Sequence, residues 1–317
     1  MLNLPTASAL RVMILGVNGQ VGWQLQQQGL NLKTLGRFPV EMIPIARQGT
    51  PLTLDLTDPW AIQMLIQTYQ PQILINGAAY TAVDRAESEP ELAIKINGTA
   101  PGILAEELDK IGGLLIHYST DYVFDGQSTT PYLETDQTNP INVYGQSKRI
   151  GEQAIQASTN NYLILRTSWV YDSRGKNFLL TMGQLAQTQP QLKVVKDQIG
   201  SPTSAPLIAR ITYQILGQLL NTPDWQTLTG LYHLTAQGFT SWYGFAEKIV
   251  AHLAESSSHP LAALIPIPTR DYPTAAQRPA FSRLNCQKLQ KTFGITLPAW
   301  EREFGIVWQT WLQSRPT

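Results

Sequence analysis

The chain has 317 residues, with 23 Lys plus Arg against 23 Asp plus Glu and a formal net charge of zero. That length suffices for one large domain or two lobes around a sizeable core, and a balanced charge with no long basic run argues against nucleic acid as a partner. One cysteine, Cys286, excludes an internal disulfide framework and fits a reducing compartment, and no apolar run is long enough to span a membrane, so a cytoplasmic protein without a membrane partner is expected.

Met1 to Leu10 lacks the charged start and long apolar core of a secretory signal and reads as a loose tail over residues 1–10. Arg11 to Leu15 is an apolar strand. Gly16, Gly19 and Gly22 follow, with Gln20 and Val21 between the last two, and then a helical pattern from Trp23. Strand, glycines and helix are the context in which such a bend holds a pyrophosphate: glycine lets the backbone approach closely, and the helix start offers free N–H groups. The spacing is GxxGxxG, which a glycine-rich turn without a ligand would also satisfy. The second strand, Glu41 to Ala46, ends at Arg47 with no acid to hold ribose hydroxyls. Arg47 can pair with a 2′-phosphate through its planar fork, which favours NADPH and leaves NADH open; as an exposed loop arginine it would do neither.

Leu52 to Leu56 reads as a short strand ending near Asp55, and Thr57-Asp58-Pro59 as a helix start. Ile73 to Gly77 is a further strand running into Ala78, Ala79, Tyr80 and Thr81, small residues that suit a flat ligand at a strand end. A helix from about Pro90 carries Asn97-Gly98-Thr99, where glycine suggests close packing. Leu114-Leu115-Ile116 opens a buried strand that reaches Ser119 and Thr120. After it, Tyr144 and Lys148 stand four apart at the start of a helix and so share a face. A phenol titrates near 10, and a neighbouring cation lowers that value, so the pair suits proton exchange with a carbonyl oxygen. Taken alone, the same spacing fits an ordinary surface helix. Tyr162 to Tyr171, Leu192 to Thr203 and Gly230 to Thr235 are later strands, and Asn177 to Thr188, Pro206 to Leu220 and Ser241 to Ala254 are helical. The four histidines, His117, His233, His252 and His259, lack metal-ligand spacing and read as structural. Alternating strands and helices predict an α/β fold, a Rossmann-type doubly wound parallel sheet with its strand ends on one edge. Gly16, Ala78 and Thr120 then converge on one crevice.

These segments resemble the dTDP-4-dehydrorhamnose reductase family of the extended short-chain dehydrogenase/reductase superfamily. The likeness is carried by GVNGQVG (16–22), NGAAYTAVDRAE (76–87), STDYVFDG (119–126), NVYGQSK (142–148), LRTSWVY (165–171), DQIGSPT (197–203) and RPAFSRL (278–284). It implies a nucleotide-linked 4-keto-6-deoxysugar as small-molecule substrate. Tyr144 would protonate the C4 oxygen, Lys148 would tune that tyrosine and hold the nicotinamide ribose, and Thr120 would orient the oxygen. Along the cofactor would lie Gly16, Gly19, Gln20, Val21, Gly22, Arg47, Asp55, Leu56, Ala78, Ala79, Thr81 and Asn97. Asp121, Tyr122 and Trp169 would shape the sugar pocket, with Arg278 at the nucleotide phosphates; packing in the core is the other reading of Trp169, and a surface ion pair that of Arg278. The resemblance also implies a dinucleotide-binding domain over residues 11–172 plus 203–236 and a mostly helical substrate lobe over 173–202 plus 237–317. Related dehydratases carry Glu where Tyr122 stands, so reduction without elimination is expected. Some relatives hold magnesium at a dimer interface through a glutamate in the first helix; Gln24 stands in that helix here, a weak ligand for a hard cation, so no metal is expected and a homodimer stays open. An epimerase, and a non-catalytic regulatory subunit like the methionine adenosyltransferase β-subunit, share the fold and stay open as alternatives.

Overall fold

A computed structural model describes residues 9–255 and 259–314. Positions 1–8 of the expected loose tail lie outside the described residues, and Leu10 is not part of any tail. It begins β1 (Leu10–Leu15), is fully buried and pairs with Val40. The glycine bend leads into α1 (Gln20–Leu30). Then come β2 (Thr34–Leu35) and β3 (Phe38–Ala46), the latter starting three residues before the apolar run suggests because Pro39 interrupts its pattern. The next strand, β4 (Leu52–Thr53), is only the front of the expected 52–56 stretch. Asp58 caps α2 (Pro59–Tyr69), its carboxylate accepting from the Ala61 N–H at 3.1 Å, with Pro59 in the first turn where no N–H is needed.

After β5 (Ile73–Asn76) the chain forms α3 (Val83–Ala86), α4 (Pro90–Ile94) and α5 (Ala100–Lys110). Between the last two, Lys95–Thr99 widens into a π-helical turn where one continuous helix was expected. Gly98 lies there against Ile150, and a Cβ would come within 2.9 Å of it. β6 (Leu114–Thr120), α6 (Val143–Ser158) and β7 (Tyr162–Thr167) complete the first half. The expected 162–171 strand breaks at Trp169, whose φ of 46° turns the chain before β8 (Val170–Tyr171). There follow α7 (Phe178–Thr188), β9 (Gln191–Val195), β10 (Ile199–Gly200), β11 (Thr203–Ser204) and α8 (Ala205–Asn221). The chain ends through β12 (Gly230–His233), β13 (Thr240–Ser241), α9 (Trp242–Ala254), β14 (Ala263–Ile267), α10 (Gln287–Phe293) and α11 (Trp300–Gln313).

Among the described residues the main sheet has eight strands in the order β12-β7-β6-β5-β1-β3-β2, with β4 also on β3. Every pairing is parallel except β2 with β3. The chain leaves β1 toward β3 and returns to β5 on the other side, so the crossovers diverge between β1 and β5. That reversal opens a crevice beyond the strand ends. Each face of the sheet buries its own core: Leu10, Val12 and Ile14 of β1 face the side of α1 and α8, and Met13 and Leu15 face that of α2 and α5. No helix of the described residues is long and apolar enough to cross a membrane.

Candidate active site

The glycine bend sits at the mouth of that crevice. Gly16 has φ 80°, and a Cβ there would approach the Ala78 nitrogen to 2.7 Å. A Cβ on Gly22 would strike the Gly16 carbonyl. Gly19 precedes α1 with no side chain over the helix start. The bend therefore brings bare backbone and the first N–H groups of α1 to the strand ends, a cradle that fits a dinucleotide phosphate. Half-buried Val21 and Gln20 begin that helix, and Gln20 Oε1 accepts from Asn177 Nδ2 at 2.8 Å, tying the cradle to α7. Arg47 is exposed just past β3. Asp55 accepts from the Thr57 N–H and hydroxyl at 2.9 and 2.8 Å, and these bonds hold its carboxyl below the usual range, with Arg47 a smaller cause. Leu56 is half-buried beside it, and Ala78, Ala79 and Thr81 line the exit of β5, the last two exposed. Asn97 is buried and fully engaged: its amide pairs with both backbone groups of Tyr80 and donates to Ser147 Oγ. It fixes the loop after β5 to α6.

Thr120 ends β6, and α6 starts opposite it. Asn142 caps α6 by accepting from the Gly145 N–H at 2.7 Å, which sets Tyr144 in the first turn. Gly145 lies flush against the Tyr122 carbonyl, where no Cβ fits. The phenol of Tyr144 lies beside the Thr120 side chain, whose hydroxyl donates to Asp121 Oδ1 at 3.1 Å, and the Tyr122 ring meets the Tyr144 ring edge-on at 5.9 Å. The expected lowering of the Tyr144 pKa is not what this geometry produces. Burial pushes it up to about 12, against the neighbouring Thr120 side chain, which lowers it. Lys148 is 1% exposed, and its Nζ turns to the Tyr118 carbonyl at 2.6 Å and His117 Nε2 at 2.9 Å. Burial drives it down to about 7.

On the substrate side, Asp121 is buried beside Ser282 and Thr120, and burial raises its carboxyl to about 7 against the lowering effect of those two side chains. Burial also raises the phenol of Tyr122. Trp169 stacks on Trp242 at 3.5 Å over Gly200, where a Cβ would meet its ring. Arg278 is committed to Asp84 Oδ2 at 2.7 Å and the Ala276 carbonyl at 3.1 Å, the ion-pair arrangement, beside Tyr122. Gln24 Nε2 donates to both oxygens of Asp172. Sequence reasoning missed Trp242, which pins Trp169, and the pair Asn76 and His117. A histidine within the wholly buried strand LLIHYST was the available signal for the latter.

A glycine cradle at the strand-order reversal, facing a strand-end threonine and a buried Tyr–Lys pair, defines an oxidoreductase of the extended short-chain dehydrogenase/reductase class. The family described as RmlD substrate binding domain matches residues 10–311. The chain is 43% identical to the dTDP-4-dehydrorhamnose reductase of Burkholderia thailandensis over 301 residues, 94% of this chain and 97% of that protein. It is 43% identical to that of Escherichia coli K12 over 92% of this chain and 95% of that one. A solved dTDP-4-dehydrorhamnose reductase of Bacillus anthracis, in complex with NADP, superposes with a TM-score of 0.82 at 34% identity, over 96% of this chain and all of the other. The chain belongs to the dTDP-4-dehydrorhamnose reductase family.

Proposed function

We propose that the protein reduces the C4 keto group of a nucleotide-linked 6-deoxyhexulose with NADPH, converting dTDP-4-dehydro-L-rhamnose to dTDP-L-rhamnose. The observation that carries this reading is Tyr144: a phenol kept protonated by burial, beside Thr120, at the strand ends next to the glycine cradle. NADPH, when bound, supplies the hydride. Tyr144 gives its proton to the oxygen that the hydride leaves negative, a general-acid step for which a fully protonated donor is suited. Thr120 orients that oxygen by a hydrogen bond. Lys148 holds the nicotinamide ribose from the next turn of α6, and Gly16 to Gly22 carry the pyrophosphate. Trp169, braced by Trp242, and Tyr122 bound the sugar, and the substrate lobe comprises 173–202 plus 237–317. The Glu-dependent elimination of related dehydratases has no base here, because Tyr122 stays protonated. We place the reaction in the cytoplasm.

Purified protein should consume NADPH when given dTDP-4-keto-6-deoxy-L-mannose, and Tyr144→Phe should lose turnover by on the order of a hundredfold or more while retaining cofactor binding. A fully active Tyr144→Phe enzyme would end the mechanism. Cofactor binding with no reduction across a panel of nucleotide keto-sugars would instead favour a binding subunit.

A further inference from the structure

Segments far apart in the sequence meet along residues 276–282. Asp84 Oδ1 accepts from the Ala276 N–H at 3.2 Å, and its Oδ2 accepts from Arg278 Nη2 at 2.7 Å. That guanidinium holds the Asp84 carboxyl below the usual range, so the tie is charged at neutral pH. Arg278 Nη1 closes the turn by donating to the Ala276 carbonyl at 3.1 Å. Gly126, at φ 79°, lies flush against the same stretch: a Cβ there would come within 2.6 Å of the Ala280 nitrogen. The Ile199 N–H donates to the Ala280 carbonyl at 2.8 Å, and the Ser282 N–H to the Ile199 carbonyl at 2.9 Å. The stretch is thus fixed by α3, by the turn after β6 and by the start of β10. A further tie goes to the start of α6: Asn142, 6% exposed, donates from Nδ2 to the Gln277 carbonyl at 2.7 Å.

The two halves of the Asn142 amide cannot be exchanged. The Gly145 N–H can only donate and meets Oδ1 at 2.7 Å; the Gln277 carbonyl can only accept and meets Nδ2. One buried side chain therefore caps α6 and holds a residue 135 positions away. Tyr144 lies between Asn142 and Gly145, the two ends of that cap, and the Val143 N–H just before it donates to Glu87 Oε1 at 2.8 Å. We infer that Asn142 is a positioning residue, whose amide carries the placement of residues 276–278 to the first turn of α6 and so to Tyr144. The consequence for catalysis rests on the acid role proposed for Tyr144 above. Substrate contacts that order the 276–278 turn then align the acid with the reacting oxygen, which is how binding away from the reacting centre is turned into rate.

Ser and Asp rank with Asn as helix caps, but neither carries the amide N–H that reaches Gln277. Asn142→Ser is neutral and Asn142→Asp charged, so a loss shared by both is not an effect of charge. Both should lower kcat on the keto-sugar by about tenfold or more, with KM for NADPH changed by less than about twofold. Asp84→Asn loosens the far end of the tie and should lower kcat as well, but not further in the Asn142→Ser background, where the path to Tyr144 is already cut. Full kcat in Asn142→Ser, or additive losses in the double variant, overturns the inference and leaves Asn142 a cap only. Hydrogen exchange at the Gly145 and Gln146 amides, which donate to Asn142 at 2.7 and 3.0 Å, needs no turnover. It should quicken in Asp84→Asn, and stop responding to that change once Asn142 is Ser. Exchange in Asp84→Asn that matches the unaltered protein overturns the inference, even where the Asn142 variants do not fold. A protein that shows this exchange pattern and reduces no keto-sugar would sink the proposed reaction and leave the tie standing.

Discussion

At Lys148, burial and charge are in open conflict. A lysine in the unfolded chain keeps its proton to about 10.4, whereas the folded one keeps it only to about 7. Between those values the unfolded chain binds the extra proton. This group therefore makes stability rise with pH from about 7 to about 10, and its penalty is complete below that window. Asp121 acts in the opposite sense. Burial lifts its carboxyl to about 7, so its contribution falls as pH rises from about 4 to 7. Comparing the unaltered protein with Lys148→Met cancels the Asp121 contribution. In urea denaturation the variant should lose roughly 2 to 3 kcal/mol of relative stability between about pH 6 and about pH 9. The lost bond to the Tyr118 carbonyl shifts both measurements alike. A difference that is flat with pH would mean an ordinary ammonium at this position.

At the scale of elements, the two helix starts that frame the crevice fail in different ways. The start of α2 is held by one side-chain cap, Asp58 on the Ala61 N–H. Asp58→Ala should cost about 1 kcal/mol and leave turnover alone. The start of α6 has a side-chain cap too, Asn142 on the Gly145 N–H, but it is also pressed against backbone: a Cβ on Gly145 would strike the Tyr122 carbonyl. Backbone cannot step aside as a flexible side chain can, so Gly145→Ala should cost about 1 to 3 kcal/mol. It should also cut kcat more than tenfold by displacing Tyr144, since small misplacements at a reacting centre are expensive. Urea melts and steady-state rates on both variants separate the two; equal kcat would refute the distinction. The same contrast explains what could be read from the sequence. Apolar runs such as Leu114-Leu115-Ile116 mark buried strands, and glycines followed by a helical pattern mark the cradle. Boundaries were less legible: Leu10 looked like tail, and Pro39 hid the front of β3. The break at Trp169 left no local trace, because its left-handed turn is held by Trp242, 73 positions away. Tyr144, Lys148 and Thr120 were legible as residues, but the direction of the tyrosine shift was not. It depends on how deeply the phenol sinks, which the packing of β6 and α6 around it decides.

Across the whole molecule, the proposed division into a dinucleotide-binding domain and a substrate lobe would be one of labour more than of stability. One continuous core includes Val12 and Ile14 of β1 and Leu163 of β7. It runs through Leu207, Ile211 and Ile215 of α8 to Leu179 of α7, Phe245 of α9 and Phe304 of α11. Helix α8 faces both ways. Toward the sheet, Tyr213 donates its hydroxyl to the Leu25 carbonyl at 2.6 Å. Toward the lobe, Arg210 and Ser204 at its start both bind Glu303 of α11, at 2.7 and 3.1 Å. Interfaces between domains allow independent motion unless they are large and apolar, and this one is part of the core itself. The two regions should therefore unfold together. Far-UV circular dichroism follows the helices of both, and the eight tryptophans report on both too, Trp242, Trp300, Trp308 and Trp311 in the lobe and Trp23, Trp60, Trp169 and Trp225 outside it. The two transitions should coincide in urea. Glu303→Ala sharpens the test, because it leaves Arg210 without its buried carboxylate, a loss on the order of 3 to 5 kcal/mol that partial exposure of Arg210 reduces. If α8 couples the lobes, the variant moves both transitions to lower urea by the same amount. If the lobe were an independent unit, its share of both signals would fall away first, and each transition would split into two steps.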